Sequence, residues 1–296
     1  MARLAFPALL LGSASLSVGP LMVRVAEVGP LQSAFWRLTL GVLPLLLLTL
    51  LLPAQRPRRP LGWKAVGAFA VAGAFFAADL IAWHMGIMRT TLANASLFAN
   101  LTGFIMAGYG LLVLGERLTR RVAFPLLLAA PGVILLFGAS AQVSMAHLTG
   151  DLMCLLAAFF YTGYLVTVAD VRARQPVLTV LTGATIAGML VLLPVVVLAP
   201  EPLLPGTAAG WLPLLMLGLG SQVIGQGLIV YAVAHLTPTA SGIGLLLQPV
   251  IGVALGWAVY DEVLSVPEMI GAGLLLLALI TRALPARPAR PAPEAE

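Results

Sequence analysis

Charged residues are scarce in this chain. Only 9% of its 296 residues are charged and 60% are hydrophobic, with a mean hydropathy of +1.05. An ordinary soluble domain carries about a quarter charged residues. The scarcity excludes such a domain and indicates an integral membrane protein, whose partner is the lipid bilayer.

Cysteine and histidine are also rare, and their scarcity excludes several kinds of site. The single cysteine, Cys154, lies inside an apolar run, so neither a disulfide framework nor a thiolate metal site is possible. The three histidines are dispersed and form no HExxH motif, so we predict no metal, no cofactor and no enzymatic activity. The net charge is +5, but the basic residues form short clusters between apolar runs, so we predict no nucleic-acid partner.

Apolar runs long enough to cross a bilayer recur along the chain. There are ten of them, at residues 4–23, 30–52, 63–87, 91–114, 122–140, 150–169, 176–199, 210–235, 239–260 and 267–284. The first has no cleavage site behind it, so we interpret it as a span and not as a removed signal peptide. Residues 285–296 are rich in Pro and Ala and are predicted to form a disordered cytoplasmic tail. The predicted fold is an all-α membrane protein with ten transmembrane helices.

The basic residues test this count, because cytoplasmic loops carry most of the Lys and Arg of a membrane protein. With a cytoplasmic N-terminus, thirteen of the 16 lysines and arginines fall on the inner side. Arg24 and Arg89 fall in outer loops, and Arg37 lies within the second run. The strong bias favours ten spans with both termini in the cytoplasm.

The two halves of the chain repeat each other. A shift of 146 residues aligns Pro30 with Pro176 and Glu116 with Glu262, and the segment LGERLT with YDEVLS. The chain therefore divides into five-helix repeats at residues 1–145 and 146–284. Since five is an odd number, the second repeat crosses the membrane in the opposite sense, so the repeats are inverted.

A short motif ends a helix in each repeat, with the pattern Gly/Asp-Glu-x-Leu-Thr/Ser. Its residues are Gly115, Glu116, Leu118 and Thr119 in the first repeat and Asp261, Glu262, Leu264 and Ser265 in the second. With LLLQPVIGVALGW before the second copy, the whole chain resembles the EamA family of the drug/metabolite transporter (DMT) superfamily. Within that family it is similar to the YddG-type aromatic amino-acid exporters. The resemblance implies a central substrate cavity lined by the first, third, fourth, sixth, eighth and ninth helices.

Uncharged polar and aromatic side chains lie at membrane depth on several of these helices. Amides, hydroxyls and aromatic rings bind a small zwitterion or an aromatic ring without trapping it by strong ion pairing. Interhelical hydrogen bonding is the alternative role for each of them. The candidate cavity residues are Asp79, Trp83, His84, Asn100, Tyr161, Gln222, Gln226 and Gln248.

Glycine and proline mark candidate hinges. Gly103 and Pro249 occupy equivalent places in the two repeats, where the family often has Pro in the first repeat as well. Gly19 and Pro20 form a further pair in the first helix. Membrane helices also tolerate both residue types for packing, which leaves a structural role open.

Asp79 is the acidic residue that we place well inside the membrane, where a carboxylate costs roughly 2.5–3.5 kcal/mol on insertion scales. Arg37 on the neighbouring helix is at similar depth, so one interpretation is a structural ion pair. In the alternative, Asp79 receives a substrate's amino group or a transported proton, with Trp83 and His84 nearby. His84 is equally consistent with a hydrogen-bonded helix interface.

The repeated glutamates Glu116 and Glu262 fall at opposite ends of the bilayer and cannot meet. We predict that each caps a helix or pins a loop. The sequence as a whole predicts a monomeric, multi-pass protein of the bacterial inner membrane that exports amino acids, including aromatic ones, by alternating access. A proton-coupled efflux carrier for drugs, organic cations or metabolites is the alternative, and a channel is less favoured because the chain supplies its own pseudo-symmetry.

Overall fold

The structure is a computed structural model that describes residues 4–57, 60–90, 92–138, 145–260 and 265–283. Every regular element within these ranges is helical. The α-helices are α1 (Ala5–Ser17), α2 (Gly19–Val25), α3 (Pro30–Leu51), α4 (Trp63–Ile87), α5 (Leu92–Asn100), α6 (Thr102–Gly108), α7 (Arg120–Gly138), α8 (Leu148–Arg172), α9 (Val177–Leu198), α10 (Trp211–Leu215), α11 (Gln226–Val233), α12 (Pro238–Leu245), α13 (Leu247–Tyr260) and α14 (Val266–Ala283). A π-helical segment, Tyr109–Val113, follows α6, and another, Met216–Gly225, joins α10 to α11.

Nine stretches of the described chain are long and apolar enough to cross a bilayer. They are Ala5–Val25, Pro30–Leu51, Trp63–Ile87, Asn94–Val113, Leu148–Arg172, Val177–Leu198, Trp211–Val233, Pro238–Leu255 and Val266–Ala283. Helix α7 lies where the fifth apolar run predicts a span, but it is not one of the nine. An all-helical protein with many spans is thus confirmed. The count of ten and the cytoplasmic side of both termini stay predictions.

Three spans are interrupted close to the candidate hinge residues. Helix α2 begins at Gly19, immediately before Pro20. Helices α5 and α6 are separated at Leu101, two residues before Gly103. Helix α12 gives way to α13 three residues before Pro249, whose ring nitrogen has no hydrogen to donate to the preceding turn. Pro20 and Pro249 lack the N–H that would bond to the preceding turn, and movement about the three interruptions stays a prediction.

Helix α4 lies at the centre of the packing. It packs against α8 and α9, and α3 packs against α9 and the Met216–Gly225 segment. Buried apolar side chains from these helices form one cluster, which includes Leu38, Phe76, Leu80, Leu165 and Leu181. Large aliphatic side chains remain exposed on the outer surfaces of the same helices, as lipid contact requires. The cluster fixes the relative positions of the helices that carry the polar residues.

Helices α6 and α12 cross with their backbones in contact. A Cβ atom built on Gly103 would lie 2.7 Å from the carbonyl oxygen of Gly242, and a Cβ on Gly242 would overlap the carbonyl oxygen of Gly103. Small residues allow membrane helices to approach this closely. The structure therefore gives Gly103 a packing role at the crossing, which the sequence left open beside the hinge role.

Candidate functional site

A cationic side chain lies inside the helical core. Arg37, on α3, is only 3% exposed. Its guanidinium carbon lies 5.6 Å from the centroid of the Phe76 ring on α4, in a cation–π contact. Its Nε atom is buried and has no hydrogen-bond partner among the described residues. Because a buried hydrogen-bond donor without an acceptor is costly, this position favours a ligand that supplies an acceptor.

Asp79 lies on α4, three residues after Phe76 and therefore on a neighbouring position of the same face. It is half-buried, and it interacts electrostatically with Arg37. The two side chains are nevertheless not in direct contact. Between described residues, the ion pair within 4.0 Å is Arg174–Asp170. Arg37 and Asp79 thus place opposite charges near each other, more than 4.0 Å apart, in the core of the protein.

Trp83 lies one helical turn after Asp79 and is also half-buried. Its ring lies 3.4 Å from the point where a Cβ atom on Gly19 would stand, and the Ser221 hydroxyl lies 3.7 Å from the same point. The face of α4 that carries Asp79 and Trp83 is therefore turned towards α2 and the π-helical segment Met216–Gly225. This arrangement brings together residues of the first, third and eighth predicted spans.

Three aromatic rings continue this region from α4 to α8. Phe76 stacks on Tyr164 with ring centroids 4.5 Å apart, and Tyr164 stacks on Tyr161 at 5.8 Å. We call Phe76, Tyr164 and Tyr161 the aromatic ladder. Its first ring contacts Arg37, and its last ring donates a hydrogen bond to the Oε1 atom of Gln226 at 2.9 Å. The ladder thus joins the charged residues to the amides.

Two glutamines occupy the other side of the ladder. Gln226, at the start of α11, and Gln222, in the π-helical segment, are both completely buried. The Gln222 amide donates to the hydroxyl of Thr185 on α9 at 2.9 Å. The wide turn of the π-helix precedes Gln226, and such segments occur often at functional sites. Both glutamines are therefore held by neighbouring helices, as the prediction of interhelical bonding allows.

Several polar atoms of this region are buried without a partner among the described residues. They are Nε of Arg37, Oη of Tyr164, Oε1 of Gln222 and Nε2 of Gln226. Buried polar groups in proteins are normally hydrogen-bonded, and exceptions point to a bound water, an ion or a ligand. We define Arg37, Asp79, the aromatic ladder, Gln222 and Gln226 as the central polar site.

Four predicted cavity residues lie outside this site: Trp83, which lies near Gly19 and Ser221, and His84, Asn100 and Gln248. His84 is fully buried against the start of α3, with Nδ1 3.1 Å from the carbonyl oxygen of Pro30 and 2.8 Å from the Ser33 hydroxyl, which fits the interface alternative. The Asn100 amide donates to the Ser96 carbonyl of its own helix at 2.6 Å. Gln248 is half-buried on α13, where its backbone carbonyl accepts a hydrogen bond from the Ser17 hydroxyl at 3.4 Å.

Asp151 is a buried acidic residue that the sequence did not predict as such, because it lies near the start of an apolar run. Asp151, in the first turn of α8, is 7% exposed. It accepts hydrogen bonds from the Thr90 hydroxyl at 2.6 Å and from the Asn94 amide at 3.0 and 3.2 Å. The polar residues Thr90 and Asn94 were the feature of the sequence that could have indicated a buried acceptor nearby. This contact fixes the turn between α4 and α5 to α8.

Glu116 has the loop-pinning role that was predicted for it. Gly115 adopts the left-handed conformation, with φ of +65°, and Glu116 follows this turn. One carboxylate oxygen of Glu116 accepts a hydrogen bond of 3.3 Å from the backbone N–H of Thr239, in the first turn of α12. The glutamate of the first repeat therefore caps a helix of the second. Residues 261–264, which include Glu262, lie outside the described residues.

Comparisons with known proteins place this chain in a family. The model of the EamA-like transporter family matches it twice, at residues 4–138 and 148–282. The pseudopaline exporter CntI of Pseudomonas aeruginosa, from strains UCBPP-PA14 and PAO1, is 25% identical over 249 residues, which cover 84% of each chain. A solved crystal structure matches with a TM-score of 0.73 and 20% identity over 95% of both chains, which shows a shared fold. The chain belongs to the EamA-like transporter family.

Proposed function

We propose that this protein exports amino acids, including aromatic ones, by alternating access through a cavity at the central polar site. The observation that carries the proposal is the placement of Arg37 and Asp79. Two opposite charges lie in the core, near enough to interact electrostatically but without direct contact. A zwitterion carries the complementary pair of charges on adjacent groups.

The chemistry of each group fits one part of such a substrate. A guanidinium binds a carboxylate through two parallel hydrogen bonds, and a carboxylate accepts hydrogen bonds from an ammonium group. The aromatic ladder lies next to Arg37, and stacked aromatic faces bind a further ring with centroids about 4.5–7 Å apart. The site therefore fits an amino acid that places its side chain against Phe76, Tyr164 or Tyr161.

The comparisons support export and a repeated architecture. A relative over most of the chain is an exporter, and the family model matches two consecutive segments of similar length. Repeats of this kind, when inverted, exchange conformations and open a central site to either side of the membrane in turn. We extend the proposal accordingly to inverted repeats, a monomer and a location in the bacterial inner membrane.

One observation favours a second candidate, which is proton-coupled efflux of organic cations. Arg37 faces the Phe76 ring, and no described basic side chain lies within 4.0 Å of the Asp79 carboxylate. An unpaired carboxylate inside a membrane protein is a site for a proton or for a cationic substrate. In this alternative the substrate needs no carboxylate, and Arg37 only tunes the charge of Asp79.

Counterflow in proteoliposomes separates the two candidates. Vesicles loaded with unlabelled phenylalanine should accumulate labelled phenylalanine in a saturable manner, whereas protein-free vesicles should not. 3-Phenylpropionate, which lacks the ammonium group, and phenethylamine, which lacks the carboxylate, should each inhibit more weakly than phenylalanine. Strong counterflow of phenethylamine without counterflow of phenylalanine would overturn amino-acid transport and favour the cation carrier.

A further inference from the structure

A cavity that no residue of the central polar site lines lies between α7 and α14. Its volume is about 460 Å³, and its lining includes Arg120, Arg121, Phe124, Leu127 and Thr281. Helix α7 begins at Arg120 and α14 ends at Ala283, so the cavity lies at the N-terminus of α7 and the C-terminus of α14. In a bilayer, that level is the headgroup region.

The cavity is basic at one end. Arg120 and Arg121 line it, and Arg282 on α14 is close enough to Arg121 for the two like charges to repel. The Nε atom of Arg282 is buried and has no partner among the described residues. Glu116 offsets part of this charge through its attraction for Arg282. Arg120, Arg121 and Arg282 thus gather three basic side chains at this end of the cavity, and such a cluster favours an anion.

The other end of the cavity is apolar and open to the membrane. Phe124 is 51% exposed and Leu127 is 70% exposed. On α7, Phe124 lies within about one turn of the arginines and Leu127 within about two, so a molecule that contacts both ends has an anionic head and an apolar tail. Free phosphate satisfies only the arginines, whereas an anionic phospholipid satisfies both ends. Basic pockets between transmembrane helices recognise the headgroups of such lipids.

We propose that the cavity between α7 and α14 binds one anionic phospholipid, with its phosphate at Arg120 and Arg121 and an acyl chain along Phe124 and Leu127. The bound lipid fastens α7 to α14 where the two helices end. These helices already contact each other closely, because a Cβ on Gly132 would lie 3.2 Å from the carbonyl oxygen of Gly271. This site is independent of the transported substrate.

Thermal unfolding of the reconstituted full-length protein tests the proposal. The unfolding temperature is compared in vesicles of phosphatidylcholine alone, in vesicles that also contain phosphatidylglycerol, and in phosphatidylcholine vesicles with inorganic phosphate. We expect phosphatidylglycerol to raise it by about 2–4 °C, because a ligand of the folded state stabilises that state. Inorganic phosphate should not change it. An equal rise with inorganic phosphate would overturn the lipid assignment in favour of a free-anion site.

Variants of the two arginines test whether the rise in unfolding temperature comes from this cavity. Arg120→Gln with Arg121→Gln should abolish the rise, and Arg120→Lys with Arg121→Lys should retain most of it. The matched control is Lys64→Gln with Arg174→Gln, which removes the same charge from exposed side chains and should keep the full rise. A full rise in the Gln pair would contradict the proposal. If the Gln pair does not fold, native mass spectrometry of the wild type should show phosphatidylglycerol displacing phosphatidylcholine, and equal retention of both lipids would overturn the site.

Discussion

The guanidinium of Arg37 lies over the Phe76 ring, with 5.6 Å between the guanidinium carbon and the ring centroid. This contact keeps a cation in the core without neutralising it by a direct ion pair. A structural ion pair with Asp79 would have left no charge available to a substrate. In the observed contact, the Nε donor of Arg37 has no partner among the described residues, and the Asp79 carboxylate lies more than 4.0 Å from the guanidinium.

Replacing Arg37 with Met should remove the group that we assign to the substrate carboxylate. Breaking a buried, hydrogen-bonded charge contact costs about 2–5 kcal/mol, so phenylalanine counterflow should fall by a factor of roughly 30 or more. The unfolding temperature should change little, because the Nε atom of Arg37 has no hydrogen bond to the described residues that would be lost. Unchanged counterflow in a folded Arg37→Met variant would remove Arg37 from the site.

Asp79→Asn should weaken transport while retaining the size of the side chain. The neutral amide cannot attract an ammonium group, so we expect at least about a tenfold loss of phenylalanine counterflow. Asp170→Asn is the matched control, since Asp170 is an exposed carboxylate on α8 whose ion pair with Arg174 is worth little. Equal activity of the two variants would argue against a role for Asp79 in binding.

Two tyrosines of the aromatic ladder form a matched pair. Tyr161→Phe removes a buried hydrogen bond to Gln226 and should destabilise the protein by about 1–3 kcal/mol. Tyr164→Phe removes a buried hydroxyl that has no partner among the described residues, so the unfolding temperature should stay the same or rise. Thermal unfolding in detergent compares the two. A larger loss for Tyr164→Phe would show that its hydroxyl is bonded within the protein.

Two glycines on α6 should respond oppositely to alanine. A Cβ at position 103 would lie 2.7 Å from the carbonyl oxygen of Gly242, so Gly103→Ala should destabilise the protein by about 1–3 kcal/mol. A Cβ at Gly108 would meet nothing within 4 Å, so Gly108→Ala should be neutral or slightly stabilising. Unfolding temperatures measured on both variants check the crossing of α6 and α12. Similar values would contradict the close approach of the two backbones.

Asp151→Ala should cost stability without touching the central polar site. The change leaves the Thr90 hydroxyl and the Asn94 amide without their buried acceptor, a loss of about 1.5–3 kcal/mol. Asp170→Ala provides an exposed control and should change stability by no more than about 0.5 kcal/mol. Residual transport per folded molecule should match the wild type in both variants, and a selective loss of transport in Asp151→Ala would assign it a direct role.

Membrane spans were predictable from the sequence because hydropathy alone decides them. The nine spans of the described chain fall on nine of the ten predicted runs, and the predicted capping role of Glu116 agrees with its bond to Thr239. Gln222 and Gln226, both predicted from their polar side chains at membrane depth, are both completely buried. These features depend on local composition and spacing, which the sequence shows directly.

Contacts between distant segments were harder to predict. His84 follows Trp83 by one residue, but one side chain packs against α3 and the other lies next to α2, since neighbours on a helix point in different directions. The partner of Arg37 is an aromatic ring on another helix, and the periodicity of the sequence does not identify such a partner. Phe76 and Thr185 were missed because an apolar ring and a single hydroxyl in a span have no signal of their own.

Inhibition of phenylalanine counterflow by the two analogues, measured in the two charge variants, tests whether Arg37 and Asp79 bind opposite ends of the substrate. Reconstituted wild type, Arg37→Met and Asp79→Asn are each assayed with 3-phenylpropionate and phenethylamine. We expect a reciprocal pattern, in which Arg37→Met loses inhibition by the carboxylate analogue and Asp79→Asn loses inhibition by the amine. If both variants retain the same relative inhibition by the two analogues as the wild type, Arg37 and Asp79 do not bind the two ends of the substrate, and amino-acid recognition by this pair of charges is wrong.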